Sequence, residues 1–357
     1  MIPYYIFLFV VMCFAFLCSS KIPKKGKNVF LLCTLVVMVL FAGLRSAEIG
    51  TDAAGYARSF EEGRPELRGD WTEQVTEEAG FYYLNKFLES ISSEYVVLFI
   101  GVALLTYFCV LIAIRRETKN IAIPLFVFIT LGLYTFVFNA ARQGIAVGIY
   151  MLSFKYLFED GRKGFLKYCA VVLIAALFHK TVIIALPLYF LFRLKFSFRM
   201  LVLIGIIGSI TGSLLPALLM YAGTLEERYA LYLTEAGGGE MLTFFYVLIT
   251  AFFIIWRNKI DNQYLRKYDV YLNMMLFGTM IYVVVQYYGV YVELTRFAAY
   301  FQVASVFLWS YIYRSKKKPR DIFSFAIIAG HLVFFFIFCT KMANLVPYML
   351  NPQIHFN

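Results

Sequence analysis

The chain has 357 residues, 61% of them hydrophobic and 15% charged, with a formal net charge of +11. A mean hydropathy of +0.73 excludes an ordinary soluble domain, which is roughly 45–50% apolar and about 25% charged. The basic excess does not point to nucleic acid, because the charges punctuate apolar runs and form no stripe on a soluble fold.

A membrane-spanning helix needs about 20 mostly apolar residues. Apolar runs bounded by charge fall near 2–20, 29–44, 95–114, 121–138, 143–158, 166–178, 181–192, 200–222, 241–256, 270–290, 298–313 and 322–340. They predict an all-α, polytopic integral membrane protein of about twelve segments, with 1–357 forming a single transmembrane domain. The first run has no positive region before it; Lys21, Lys24, Lys25 and Lys27 come after it. That order predicts a retained first span with its N-terminus outside, not a cleaved signal. Cys13, Cys18, Cys33, Cys109, Cys169 and Cys339 all sit in apolar runs without metal-ligand spacing, and read as small core residues.

Charge bookkeeping decides the stretch from Phe165 to Phe192, which is long for one helix and short for two and carries His179 and Lys180 at its middle. Two short segments meeting at His179 leave 23 of the 33 basic residues on one side, in 21–27, 115–119, 155–167, 193–199, 257–267 and 314–320. That side is the cytoplasm by the positive-inside rule, whereas a single crossing would scatter the charges. His179 is then expected near the outer end of a helical hairpin, with both termini outside.

Two outer loops follow, about 46–94 and 223–240. The first carries 11 of the chain's 22 acids against four basic residues. Within it Phe81, Leu84, Phe87, Leu88 and Ile91 repeat at helical spacing, which predicts an amphipathic helix on the membrane surface. The second contains Arg228 and the triplet Gly237, Gly238 and Gly239, read as a flexible turn. Tyr82, Tyr83 and Tyr291 are unranked candidates for stacking on sugars.

Charge at the mouth of a span is costly and usually functional. Arg45 ends the second span, Asn139, Arg142 and Gln143 form a polar cluster between two apolar runs, His179 marks the hairpin, and Arg296 opens a late span. These predict a cationic ring at one depth near the outer surface, suited to a polyanionic head group, although a span-end Arg also snorkels to lipid phosphate. Asp52 follows Gly50 and Thr51, with Tyr56 four positions on; the segment reads as a substrate-binding turn, a helix cap, or both. His331 and His355 are read as structural, and with no H-E-x-x-H motif or acidic pair on a span, no metal site or soluble cofactor is expected.

The stretches GLRSAEIGTDAAGY, FNAARQGIAVGIYMLSFKYLFEDGRKGFLKY, LFHKTVIIALPLY and ELTRFAAYF resemble the successive landmarks of EpsG-like, Wzy-type polysaccharide polymerases. The matching positions are Arg45, Gly50, Thr51, Asp52 and Tyr56; Arg142 and Gln143; Phe178, His179, Thr181 and Pro187; and Arg296 and Phe297. Lys180 falls outside that pattern. The resemblance implies a bacterial inner-membrane glycosyltransferase that joins undecaprenyl-pyrophosphate-linked oligosaccharide repeat units outside the cytoplasm, in exopolysaccharide, capsule or O-antigen assembly. Its partners would be that lipid-linked donor, membrane lipids, and a chain-length regulator and flippase of the same pathway.

On this reading His179 is the general base, Arg142 and Arg296 stabilise the pyrophosphate leaving group, and Asp52 is the alternative base or an orienter. Arg45, Gln143, Asn139, Tyr56 and Lys180 complete a substrate-binding set. Two other classes fit some of the same residues: a flippase or exporter of lipid-linked sugars, and a membrane O-acyltransferase with His179 as acceptor base. The absence of matching Gly/Pro-broken segments in two halves weighs against the transporter, and an outer His179 against a cytoplasmic acyl donor.

Overall fold

The computed structural model describes residues 1–20, 22–63, 78–225, 239–289, 292–315, 321–343 and 345–352. Among these residues the chain is helical throughout, without strands, as an apolar environment demands: backbone groups that cannot bond to water must bond within their own segment. Seven of the described helices are long and apolar enough to cross a bilayer: Ile2–Ser19, Lys24–Gly43, Tyr95–Glu117, Phe198–Leu218, Glu240–Lys259, Asn262–Tyr288 and Ile322–Lys341.

The remaining five apolar runs are built from shorter pieces. The run 121–138 divides into Ala122–Thr130 and Phe136–Asn139. The helix stops because Tyr134 is drawn elsewhere: its N–H returns to the Phe128 carbonyl at 3.0 Å and its hydroxyl donates to the Met38 carbonyl at 2.8 Å. Its ring stacks on Phe7 and Tyr107 at 4.6 and 4.7 Å. A buried tyrosine needs a partner for its hydroxyl, and here tertiary partners override an uninterrupted helical pattern. The run 298–313 is likewise divided, into a 3-10 helix Val292–Ala298 and α-helices Ala299–Gln302 and Ser305–Ser315.

The chain forms two compact units, Met1–Leu186 with Lys317–Asn357, and Pro187–Lys316. In the first, α1 (Ile2–Ser19) packs on α2 (Lys24–Gly43), and α5 (Tyr95–Glu117) packs on both α2 and α8 (Ala141–Met151). At one end, Arg115 Nη2 donates to Asn28 Oδ1 at 2.7 Å and Ile121 N–H to Ser19 Oγ at 3.1 Å. The basic connections 22–27 and 115–119 therefore share that end, as charge counting predicted. At the other end of α2, Tyr4 Oη donates to the Leu345 carbonyl and Tyr348 Oη to the Phe41 carbonyl, both at 2.6 Å, and Arg45 pairs with Leu350 in an isolated antiparallel bridge. The start of α1 and the segment after the last helix thus lie with Arg45.

In the second unit the helix Asn262–Tyr288 is the centre, packed by Phe198–Leu225, Glu240–Trp256, Ala299–Gln302 and Ser305–Ser315. Its buried Asp269 receives a two-pronged bond from Arg257, Nε to Oδ1 at 2.6 Å and Nη2 to Oδ2 at 2.9 Å. Phe196 N–H donates to the same carboxylate at 3.2 Å, and Asp261 N–H to Ser315 Oγ at 3.1 Å. Connections 193–199 and 257–267 and the last residue of the helix Ser305–Ser315 accordingly meet at one end of this unit.

Candidate active site

The site begins with a reversal of the chain. Helix α9 (Gly161–Ala176) ends before His179, whose backbone is extended, and a 3-10 turn Lys180–Ile184 follows. Tyr168 Oη donates to the Ala185 carbonyl at 2.9 Å. In a continuous helix those positions would stand roughly 25 Å apart, so the chain doubles back with His179 at the tip. This is the hairpin predicted from charge.

Helix α4 (Ala79–Glu89) meets that tip end-on. Gly80 N–H donates to the Leu177 carbonyl at 2.8 Å, and a Cβ at Gly80 would stand only 2.8 Å from that oxygen, so the approach requires glycine. The preceding residue, Glu78, is 8% exposed and holds three partners. One carboxylate oxygen lies 3.1 Å from His179 Nδ1 and 3.4 Å from Lys180 N–H. The other accepts from Arg142 Nη1 at 2.7 Å. Burial acts to raise the Glu78 pKa, but the His179 hydrogen bond and the Arg142 charge outweigh it and hold the carboxyl down at about 2.

Arg142 enters from the first turn of α8, three positions after Asn139 at the end of the short helix Phe136–Asn139. Asn139 Oδ1 accepts from Thr51 N–H at 3.0 Å, which brings the segment after α2 to the same place. That turn depends on Gly50, whose φ is +113° and whose missing side chain makes room for Asn139 Oδ1 and the Phe138 carbonyl, 2.6 and 2.7 Å from where a Cβ would sit. Only glycine adopts such a φ without strain. Asp52 stands at the N-cap position of α3 (Ala53–Glu61), yet no side-chain oxygen caps the helix; Asp52 Oδ1 accepts from Thr51 Oγ1 at 3.2 Å. The cap reading of Asp52 is thereby corrected.

The other predicted residues fall into different situations. Tyr56 is buried, edge-on to Phe81 at 6.0 Å, and packs α3 against α4. Gln143 is buried on α8, and Lys180 is exposed beside His179. Arg45 is 3% exposed. Its guanidinium carbon lies 3.9 Å from the Phe99 ring centre and 4.2 Å from that of Phe138, and it donates to the Ala42 and Ile49 carbonyls. Burial lowers its pKa to about 10, which leaves it charged. Arg296 is half-buried on the 3-10 helix of the second unit. His331 Nδ1 lies 2.8 Å from Thr130 Oγ1, a structural pairing. Arg228, Gly237, Gly238, Tyr291 and His355 lie outside the described residues.

The apolar repeat of α4 serves two faces. Phe81 and Leu88 are buried against the protein, whereas Phe87 and Ile91, with Tyr83, are exposed. Glu78 itself had no distinguishing signal among the eleven acids of its loop beyond its place just before this amphipathic helix. Among the described residues no group of three His, Cys, Asp or Glu side chains is arranged to hold a metal ion.

The cluster therefore unites a titratable imidazole, a guanidinium and the Lys180 backbone N–H around one carboxylate, joined through Asn139 to the Gly50–Asp52 turn. Such a set can bind an anion and move a proton. No curated protein and no solved structure matches the sequence. The sequence profile of the EpsG family matches residues 28–350, a span that contains every predicted site residue. The chain belongs to the EpsG family of Wzy-like polysaccharide polymerases.

Proposed function

We propose that this protein joins undecaprenyl-pyrophosphate-linked oligosaccharide repeat units at the outer face of a bacterial cytoplasmic membrane. The observation that carries the reading is the convergence of His179 and Arg142 on Glu78. The hairpin tip, the Arg45 turn and the two chain ends all belong to the outer side on the positive-inside count. Twelve membrane segments then comprise the seven long helices and the five interrupted runs. Exposed Tyr83 and Phe87 on α4, with Ile91 just beyond its end, suit a helix lying at the lipid head groups.

In the reaction, an acceptor sugar hydroxyl attacks the anomeric carbon of the donor. A carbon–oxygen bond forms there as the bond to the pyrophosphate oxygen breaks, and its electron pair leaves with the pyrophosphate. The hydroxyl proton passes to His179. Arg142 stabilises charge developing on the leaving group, aided by exposed Lys180. Asp52 orients the sugar. Arg45, closed in between two rings, sets the turn from behind. A chain-length regulator and a flippase of the same assembly pathway are the protein partners this reading implies.

The test is polymerisation by the purified full-length protein in proteoliposomes, supplied with lipid-linked oligosaccharide extracted from a strain lacking its gene. The wild type is expected to produce a ladder of polymer. His179→Ala and Arg142→Ala proteins with wild-type thermal stability are expected to produce none. Long polymer from both variants would overturn the assignment, and movement of substrate across the bilayer without chain growth would identify a transporter.

A further inference from the structure

We infer that Glu78 is a positioning residue that fixes the ring of His179 so that Nε2 carries the lone pair, and ties that ring to Arg142. The inference rests on the reading of His179 as the base. Glu78 lies in none of the stretches that resemble the polymerase landmarks, and it is reached through contacts 64 and 101 positions away in sequence.

The argument is one of donors and acceptors. A carboxylate paired with a guanidinium at 2.7 Å is ionised, in keeping with its low pKa, and an ionised carboxylate only accepts hydrogen bonds. The contact of 3.1 Å between Glu78 Oε1 and His179 Nδ1 is then a hydrogen bond only if Nδ1 carries the proton. In a neutral imidazole the other nitrogen, Nε2, must hold the lone pair. The choice between tautomers is thus made by Glu78.

Geometry holds Glu78 as firmly as it holds His179. Its backbone is anchored two residues away by the Gly80 to Leu177 bond, in the same hairpin that carries His179. Its second oxygen is taken by Arg142, and Lys180 N–H reinforces the first. The charged and titratable groups facing the carboxylate are His179 and Arg142. One side chain therefore sets both the orientation of the base and the position of the guanidinium that meets the leaving group.

The test reads the tautomer directly and does not depend on polymer formation. Full-length protein with nitrogen-15 in its three histidines, in lipid nanodiscs, is observed by solid-state NMR, with His179 assigned by its loss in His179→Gln. The neutral His179 ring is expected to be protonated at Nδ1, and to shift toward the Nε2-protonated form in Glu78→Ala. Glu78→Met, closer in shape but without an acceptor, should do the same and guards against local collapse. A wild-type ring protonated at Nε2, or an unchanged Nδ1-protonated ring in both variants, would overturn the inference. With the polymerisation assay, Glu78→Met is expected to lower kcat by about 10²-fold with KM changed little. Absence of polymer from the wild-type protein would instead count against the polymerase reading, leaving the tautomer result standing.

Discussion

Arg142 Nη1 stands 2.7 Å from Glu78 Oε2 although 64 positions separate the two residues. The pair joins the first turn of α8 to the start of α4, and its stabilising effect depends on pH. The Glu78 carboxyl lies at about 2 against an ordinary 4.5. A folded-state pKa below the unfolded one means that the contribution is complete above the ordinary value and is lost as pH falls through the folded value. Thermal unfolding in detergent should show Glu78→Gln less stable than wild type at pH 7, with the gap closing as the pH is lowered from about 4.5 toward 2. A gap that widens on acidification would contradict the pairing.

The turn after α2 is expected to tolerate no side chain at Gly50. Gly50→Ala meets both the positive φ and the Phe138 and Asn139 oxygens, and should cost about 1–3 kcal/mol together with most polymer formation. Gly63→Ala is the control: its φ is also positive, at +65°, but nothing lies within 4 Å of the added carbon. Equal losses of activity in the two variants would show that steric room at Gly50 is unimportant.

Arg45 should prove a structural cation. Arg45→Ala removes a guanidinium held between Phe99 and Phe138, and is expected to lower stability by about 2 kcal/mol or more. Arg45→Lys should recover only part of that, because an ammonium lacks the planar face that lies between the rings. Denaturation followed by far-UV circular dichroism checks both; full recovery by lysine would refute the stacking account.

In the second unit, Asp269→Ala leaves Arg257 without its two-pronged partner and Phe196 N–H without its acceptor. Breaking one side of a buried ion pair costs about 3–5 kcal/mol. A large fall in Tm is expected, and Asp269→Asn, which keeps an acceptor, should fall less.

Sidedness is tested by a single cysteine introduced into a protein freed of its own six. Lys180→Cys, at an exposed position beside His179, should react with an impermeant maleimide added outside intact cells. Lys119→Cys, exposed in the connection after α5, should react only after permeabilisation. The reverse pattern would invert the assignment of the active site to the outer face.

Much of the molecule was legible before folding was considered. The reversal at His179 followed from basic residues counted loop by loop, because moving charge across a bilayer is costly enough to order whole segments. The short distance from Tyr168 to Ala185 agrees with it. The breaks inside 121–138 and 298–313 were not legible: the apolar pattern runs on, and in the first the helix yields to the partners of a single ring, Tyr134. Arg45 illustrates the same limit, since a span-end arginine reads alike whether it faces phosphate or, as here, two phenyl rings.

Composition and charge order by themselves determined a helical membrane protein and pointed to the reversal of the chain at His179. Those properties are sums over neighbouring positions, and a bilayer responds to such sums. Only the tertiary structure decided that Glu78, out of eleven acids in one loop, binds both His179 and Arg142. A pairing across 101 positions depends on where two helix ends are brought, and no local periodicity records that.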